Sequence, residues 1–345
     1  MTSQLNSELI SVMEELVFYI GLKGGNGFKK RAFEKALDAL VAHGEVIVKG
    51  KDLKGIPNIG KSTIDHLTQF LDTGKIQYLE EMKADKVVNA YIIFNNVYGL
   101  GEASIKKLIE KGITDIVGLR AAFAKDPKLL NKKQAIGLKY YEDVMKRIPR
   151  AEIDALNSFI QSNSLIPDGM KYEITGSYRR GVATSGDIDI IVTGKVNKFK
   201  ELLSRFQDTG IIVERLTDGA VKCLVIGKVP GFDTFRRIDF LYSPPTEFAF
   251  ALLYFTGSKY FNTAMRGRAL VLGYSLNEHG LTMVKGGANV DGNFHSEKDI
   301  FAFLGMKFKS PQERTSGMAV ELINVGSGSK QPLEKPTAAP KPKKA

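Results

Sequence analysis

The spacing of apolar positions changes character along the chain. Leu9, Ile10, Val12, Met13, Leu16, Val17 and Ile20 recur at helical intervals, as do Ala32, Phe33, Ala36, Leu37 and Leu40, and the helical pattern continues to about residue 150. Two short units of similar make stand within it, Leu53-Lys54-Gly55-Ile56-Pro57-Asn58-Ile59-Gly60-Lys61 and Val97-Tyr98-Gly99-Leu100-Gly101-Glu102. Each precedes a helix-period run, Ser62 to Leu71 and Ala103 to Lys111. From about residue 170 the period is that of strands. Tyr172 to Ser177, Asp187 to Thr193, Ile211 to Arg215, Ala220 to Val229 and Phe235 to Tyr242 alternate or run apolar, with a helical pattern at Lys198 to Phe206 between them. After Pro244-Pro245 the pattern predicts a helical stretch from Phe248 through Leu272, a hairpin at Tyr274 to Val284 and a helix from Ser296 to Leu304. A helical first part and a strand-rich region after it predict an α+β protein, and the last segment, 310–345, stands apart. The last segment is rich in Ser, Gly, Pro, Ala and Lys and predicts a disordered basic tail. Its end, Lys341-Pro342-Lys343-Lys344, reads either as an import or tethering element or as a solubilising tail.

Composition narrows the field. At 345 residues the chain is long enough for several modules with cores of their own. A net charge of +11 points to an anionic partner, nucleic acid first and acidic membrane second. The single cysteine, Cys223, excludes an internal disulfide framework and a cysteine-cluster metal site; within Val221–Ile226 it reads as core. No apolar run reaches the length of a membrane span, and the polar N-terminus is no secretory signal. The expectation is a soluble, intracellular, reduced protein.

Candidate chemistry concentrates at Gly176-Ser177-Tyr178-Arg179-Arg180-Gly181 and Ser185-Gly186-Asp187-Ile188-Asp189-Ile190. Strand side chains repeat every two residues, so Asp187 and Asp189 share one face while Ile188 and Ile190 enter the core. Adjacent acids repel, and a cation between them relieves the cost. Hard oxygen donors suit Mg²⁺, which takes phosphate oxygens as further ligands. Arg236-Arg237-Ile238-Asp239-Phe240 supplies a third acid: Ile238, Phe240 and Tyr242 form one face, Arg237 and Asp239 the other. In such a site Asp187 and Asp189 bridge two ions, and Asp239 binds one and accepts the proton of an attacking hydroxyl. The Gly-Ser turn reads as a phosphate cradle, with Ser177, Arg180, Ser185 and Gly186 near enough in sequence to hold a triphosphate. Arg179 is equally readable as an ion-pair partner that stabilises the fold. The two helical units read as helix-hairpin-helix elements, whose glycines let backbone N–H groups approach a phosphate; ordinary helix corners are the alternative.

Together these features resemble the DNA polymerase X family of the nucleotidyltransferase superfamily, closest to its beta-like members. The matching words are Ile136-Gly137-Leu138-Lys139-Tyr140, Lys146-Arg147-Ile148-Pro149-Arg150, Gly176–Gly181, Arg236-Arg237-Ile238-Asp239, Tyr254-Phe255-Thr256-Gly257-Ser258 and Ser296-Glu297-Lys298-Asp299-Ile300-Phe301. The resemblance runs from about residue 10 to 309. It implies a lyase-like helical domain (1–82), a DNA-gripping helical domain (83–149), a catalytic palm (150–245) and a nucleotide-selecting domain (246–309). It also implies a monomeric, template-directed DNA polymerase that fills short gaps in base-excision-type repair, in the nucleus or another DNA-containing compartment. The implied partners are gapped or nicked duplex DNA and a dNTP, with two Mg²⁺ for which Mn²⁺ can substitute. By the same resemblance Arg147, Ser177, Arg180, Ser185 and Gly186 bind the triphosphate. Tyr254, Phe255 and Gly257 face the sugar, and Asn262 and Arg266 contact the nascent pair and template. Lys222 lies near the template, and Arg237 stabilises Asp239 and the primer terminus. Lys29, Lys35, Lys54, Gly60, Lys61, Gly99 and Gly101 contact DNA. Backbone carbonyls of Lys54, Ile56 and Ile59, and of Asn95, Val97 and Leu100, hold Na⁺ or K⁺. Two alternatives stay open: template-independent nucleotidyl transfer, and a non-catalytic gap- or end-binding protein.

The sequence departs from the family pattern in places. His66 takes the place of the lysine that forms a Schiff base in 5′-deoxyribose-phosphate lyases, Ser62 and Tyr78 replace lysines and Phe33 replaces a tyrosine. Imidazole cannot form the iminium of a primary amine, so the lyase reaction is not expected at His66; Lys61 is the substitute to test. Lys259 stands where an acid is expected beside the incoming base, and Leu241 where an arginine is expected near Asp239. Positive charge at Lys259 implies nucleotide binding less dependent on correct pairing, and so lower fidelity.

Overall fold

The computed structural model describes residues 2–22, 27–43 and 45–323, which fall into two compact units, Met1–Tyr141 and Glu142–Ala345. The first is all helical. Helices α1 (Thr2–Leu22), α2 (Gly27–Ala42), α3 (Lys61–Thr73) and α4 (Gln77–Ala84) enclose Leu9, Met13, Leu16, Phe33, Leu40, Leu53, Leu67 and Leu79. A separate cluster around Phe94, Val97, Ile105, Leu108, Leu119 and Leu138 is built by α5 (Lys86–Asn95), α6 (Glu102–Glu110), α7 (Ile116–Lys125) and α8 (Lys132–Lys139). Side chains close the helix starts: Asp85 accepts from the Val87 and Val88 amides, Asp115 from Gly118, and Asn131 with Gln134 forms a capping box. Helix α9 (Tyr141–Met145) leads into the second unit.

The second unit holds a five-stranded sheet. Its strands are β2 (Lys171–Ile174), β4 (Ile188–Thr193), β5 (Ile212–Asp218), β6 (Lys222–Lys228) and β7 (Phe235–Tyr242), in the order β2-β4-β7-β6-β5. Only β4 and β7 run parallel; the other pairs are antiparallel. A short antiparallel pair, β1 (Ile148–Pro149) with β3 (Thr184–Ser185), sits outside this sheet. Helices α10 (Arg150–Ser162) and α12 (Phe199–Asp208) place Ile153, Leu156, Ile160, Phe199, Leu202 and Phe206 in one cluster with Ile188, Ile190, Ile238 and Phe240. Cys223 lies in this core, where burial pushes its thiol up to about 11. A further cluster joins α13 (Phe248–Thr256), α14 (Lys259–Val271), the hairpin β8 (Tyr274–Asn277) and β9 (Gly280–Met283), and α15 (Glu297–Phe303). Among the described residues no helix is long and apolar enough to cross a membrane.

Three expectations about elements change, and one element was not foreseen. The first strand stops at Ile174, because Gly176 takes φ +61° and starts the one-turn helix α11 (Gly176–Arg179). The helical stretch 248–272 breaks at Gly257, also at positive φ, and Ser258 caps the helix that follows. Residues 150–162, between the two patterned regions, form α10. The tail does not begin at 310: Pro311–Glu313 form a 3₁₀ turn, Arg314 is completely buried, and Lys307 and Ile323 bond to the backbone of Glu321 and Gly305. Its basic end lies outside the described residues.

Candidate active site

Strands β4 and β7 place Asp189 directly opposite Asp239, one step along from the Ile188–Ile238 pair. Both neighbours of each acid point into the core, so the carboxyls share the other face. Burial, then the charge of Asp239, raises Asp189 to about 7, while Lys222 pulls it down. Asp239 is raised by burial and drawn back by Arg237 and Lys222. Lys222, on the neighbouring β6, thus acts on both acids.

Asp187, just before β4, is treated differently. It accepts a hydrogen bond from Arg237 Nη2, while Arg237 Nε faces Asp239 Oδ1 at 3.7 Å, too far for a hydrogen bond. Those two facing atoms are buried without hydrogen-bond partners. Among the described residues no group of three His, Cys, Asp or Glu side chains is placed to hold a metal ion. The expected three-acid cluster is therefore two acids in register and a third turned onto a guanidinium. The donor set still fits a divalent cation: hard oxygens, one of them buried and unpartnered, and a carboxyl, that of Asp189, whose ionisation Lys222 offsets only in part.

The Gly-Ser turn packs on these acids. A Cβ at Gly176 would lie 2.8 Å from Asp189 Oδ2, and the Thr175 amide donates to the Asp189 carbonyl at 2.8 Å. Only glycine admits that approach at positive φ. Ser177 donates to Ser185 Oγ at 2.8 Å, bringing together two of the expected phosphate ligands. Arg147 joins them through β1 and β3: it donates to the Thr184 carbonyl at 2.6 Å and hydroxyl at 3.1 Å, beside Gly186. Arg180 bonds the Thr256 carbonyl at 2.6 Å, which brings Gly257 against the same group.

Tyr254, Asn262 and Arg266 also converge. Asn262 donates to the Tyr254 carbonyl at 2.7 Å, and the Arg266 guanidinium lies 4.9 Å from the Tyr254 ring centre. Phe255 meets Tyr254 edge-on at 5.0 Å. Lys259 sits at the first position of α14, over the Tyr260 ring.

Four family models match in chain order: a helix-hairpin-helix domain over residues 4–76, the fingers domain of DNA polymerase lambda over 92–145, the DNA polymerase beta palm over 147–245 and the DNA polymerase beta thumb over 251–315. The chain belongs to the DNA polymerase X family. It is 30% identical to DNA polymerase lambda of Rattus norvegicus over 310 residues, 84% of this chain and 53% of that protein. It is 31% identical to DNA polymerase lambda of Arabidopsis thaliana over 336 residues, 90% of this chain and 62% of that one. The chain thus spans less than two thirds of the length of these curated relatives.

The polymerase X match accounts for the order of the modules; the helical unit supplies the local detail. Its two hairpins are near copies. Gly60 and Gly101 cap α3 and α6 in the same extended conformation, each carbonyl accepts from the fourth residue on at 3.0 Å, and the space around each α-carbon is open. Gly55 and Gly99 both take positive φ. A Cβ at Gly137 would lie 2.4 Å from the Tyr98 carbonyl, which explains why α8 carries glycine against the second hairpin. The Ile56 and Val97 carbonyls, expected to face a cation, accept amides of their own turns, Ile59 at 3.2 Å and Leu100 at 3.1 Å. Lys35, Lys54 and Lys61 are exposed. His66 stacks on Tyr78 at 5.4 Å, and Lys29 donates to the Tyr78 hydroxyl at 3.0 Å. Burial first, then the Lys29 charge, holds His66 below its ordinary value.

Sequence reasoning missed two buried clusters. Glu152 and Arg236 form a two-bond pair at 2.8 and 2.7 Å, with Arg236 also bonding the Lys146 carbonyl beside Arg147. Glu297 accepts from both Arg179 and Arg314. The signal for each was present as a charged residue in a recognised word, but its partner lies 84 and 118 or 17 positions away. Arg179 is thus an ion-pair partner, one of its two open readings.

Proposed function

We propose that this chain is a template-directed DNA polymerase that fills short gaps during DNA repair, moving a nucleotidyl group from a dNTP to a primer 3′-hydroxyl. The observation that carries the reading is the half-buried Asp189–Asp239 pair set beside the Gly176-Ser177 turn. Divalent ions (two Mg²⁺, or Mn²⁺), held by Asp187, Asp189 and Asp239, supply charge neutralisation and lower the pKa of the attacking hydroxyl. Asp239 Oδ1, lacking a protein donor, accepts the 3′-hydroxyl proton. Lys222 and Arg237 limit the build-up of negative charge at the acids. Ser177, Ser185, Gly186, Arg147 and Arg180 bind the triphosphate, the serines by hydroxyl and backbone donors and the arginines by charge. Tyr254, Phe255 and Gly257 face the sugar, and Asn262 and Arg266 the base pair and template.

The helical unit grips gapped or nicked duplex through Lys29, Lys35, Lys54, Lys61 and the backbone at Gly60, Gly99 and Gly101, with Na⁺ or K⁺ at the hairpin carbonyls of Lys54, Ile56, Ile59, Asn95, Val97 and Leu100. The protein acts as a monomer in a DNA-containing compartment. Lys259 lowers fidelity, so Lys259→Asp reduces misincorporation.

Primer extension tests the reading. A labelled primer on a one-nucleotide gap is extended by one residue with Mg²⁺ and stays unextended with chelator; no extension on gapped or open template overturns it. Extension without template would instead favour a tailing enzyme.

A further inference from the structure

The turn expected to bind triphosphate and the turn expected to face the sugar are tied together by one buried carboxylate. Arg179, in α11 beside Arg180, donates through Nη1 to Thr256 Oγ1 at 2.7 Å and to Glu297 Oε1 at 3.0 Å, and through Nη2 to Glu297 Oε2 at 2.8 Å. Thr256 ends α13, immediately before Gly257, and its carbonyl already holds Arg180. From the other side Arg314 donates to Glu297 Oε1 at 2.6 Å. Arg314 is wholly enclosed: two more of its donors go to the Lys309 carbonyl, and its guanidinium lies within 6 Å of the Phe261, Phe301 and Phe308 ring centres. The backbone following Gly257 closes the loop, since the Ser258 amide donates to the Arg314 carbonyl at 3.3 Å.

We infer that Glu297, locked by Arg314, is a positioning residue that sets the sugar-facing turn against the triphosphate-facing turn, and so determines selection of deoxyribonucleotides over ribonucleotides. The inference rests on the proposed polymerase reading. Its physical basis is the shared acceptor. Glu297 bonds Arg179, Arg179 bonds Thr256, and Arg180 bonds the next atoms of the same residue, so the two turns cannot shift independently while these bonds hold. Glu297, Thr256 and Arg314 are buried and the Arg179 side chain is mostly so, and in such surroundings an unpartnered charge is costly and a bonded one holds its geometry. Arg314 thus fixes Glu297 through its side chain and the backbone after Gly257 through its carbonyl. A displacement on the order of 1 Å at a sugar-facing turn is enough to change nucleotide use.

Steady-state single-nucleotide insertion into a one-nucleotide gap, with a dNTP and its matching rNTP, tests this in Glu297→Gln, Arg314→Met, Thr256→Val and the Glu297→Gln/Thr256→Val double variant. Glu297→Gln is expected to raise the dNTP KM about tenfold, to lower kcat by less than about threefold, and to cut the dNTP-over-rNTP preference about tenfold. Thr256→Val, which removes only the shared oxygen and keeps the volume, is expected to shift the same ratio in the same direction by a smaller factor. The double variant should show less than the product of the single effects, as members of one chain of bonds do. Should Glu297→Gln or Arg314→Met fail to fold, Thr256→Val decides. An unchanged preference in Thr256→Val, or loss of thermal stability with preference intact in the other two, overturns the inference while leaving polymerase activity standing. If the wild-type protein neither inserts a nucleotide nor binds dNTP in calorimetry, both readings fall.

Discussion

Asp189 and Asp239 oppose each other residue for residue across the one parallel strand pair of the five-stranded sheet. Burial and this neighbour raise Asp189 to about 7, so the folded carboxyl keeps a proton that the unfolded one, near 3.8, releases. Without divalent ions the folded state therefore binds more protons across that window, and its stability falls as pH rises through it. Asp189→Asn should stabilise the chelated protein at pH 8 by an amount on the order of a few kcal/mol, and change little near pH 4. Denaturant unfolding at both pH values checks this; equal stability of the two proteins at pH 8 would refute it.

Asp239→Ala should reduce gap filling by at least about a thousandfold while leaving the affinity for gapped duplex within about threefold. Parallel insertion and filter-binding assays separate the two effects. A variant that still inserts nucleotides would remove Asp239 from the chemistry.

Gly176→Ala meets two obstacles, a positive φ and a Cβ 2.8 Å from Asp189 Oδ2. Gly231→Ala meets only the first, since nothing lies within 4 Å of its added carbon. Both should lose about 1–2 kcal/mol for the backbone, but only Gly176→Ala should also lose most of its kcat. Similar kinetics for the two variants would show that the close approach to Asp189 is unimportant.

Glu152 and Arg236 are almost completely buried and bond each other twice. Glu152→Gln leaves the Arg236 charge without its counter-ion and should cost about 3–5 kcal/mol in urea unfolding. A loss under about 1 kcal/mol would mean that solvent reaches the pair.

His66 should titrate below 6.5, because burial and the nearby Lys29 disfavour its cation. The depressed value means that the folded state gains from this group above 6.5 and loses that gain as pH falls through its folded midpoint. Proton NMR should show the midpoint rise in Lys29→Met. With imidazole at this position, borohydride on an incised abasic duplex should trap no adduct; an adduct lost in Lys61→Ala would restore the lyase reading.

Much of this site was legible along the chain, for a local reason. Strand alternation alone set Asp189 and Asp239 on the face opposite their apolar neighbours and put Arg237 with Asp239, while the Gly176 turn was read as a phosphate cradle. That its backbone meets the Asp189 carboxylate, and that Asp187 turns to Arg237, only the structure showed. Phe235–Tyr242 appears as a strand with the bounds its alternation predicts. The break at Gly257 was harder to see, since the apolar period continues on both sides of it while the backbone there leaves the helical region. The end of the ordered chain was misread for a different reason. The composition after 310 is that of a solvated tail, yet Arg314 finds a carboxylate, two bonds to one carbonyl and three aromatic rings in residues that precede it.

The linear order of residues determined which groups share a strand face, where the chain turns and which acids can serve a common chemistry, because those follow from periods of two and 3.6 and from the φ preferences of glycine. Tertiary structure decided which acids meet and which cations they meet. Asp187 turns to Arg237, Asp189 faces Asp239, and Glu297 gathers Arg179 from 118 positions away. Charge pairing across such distances depends on where strands and helices pack, and no local pattern of side chains encodes it.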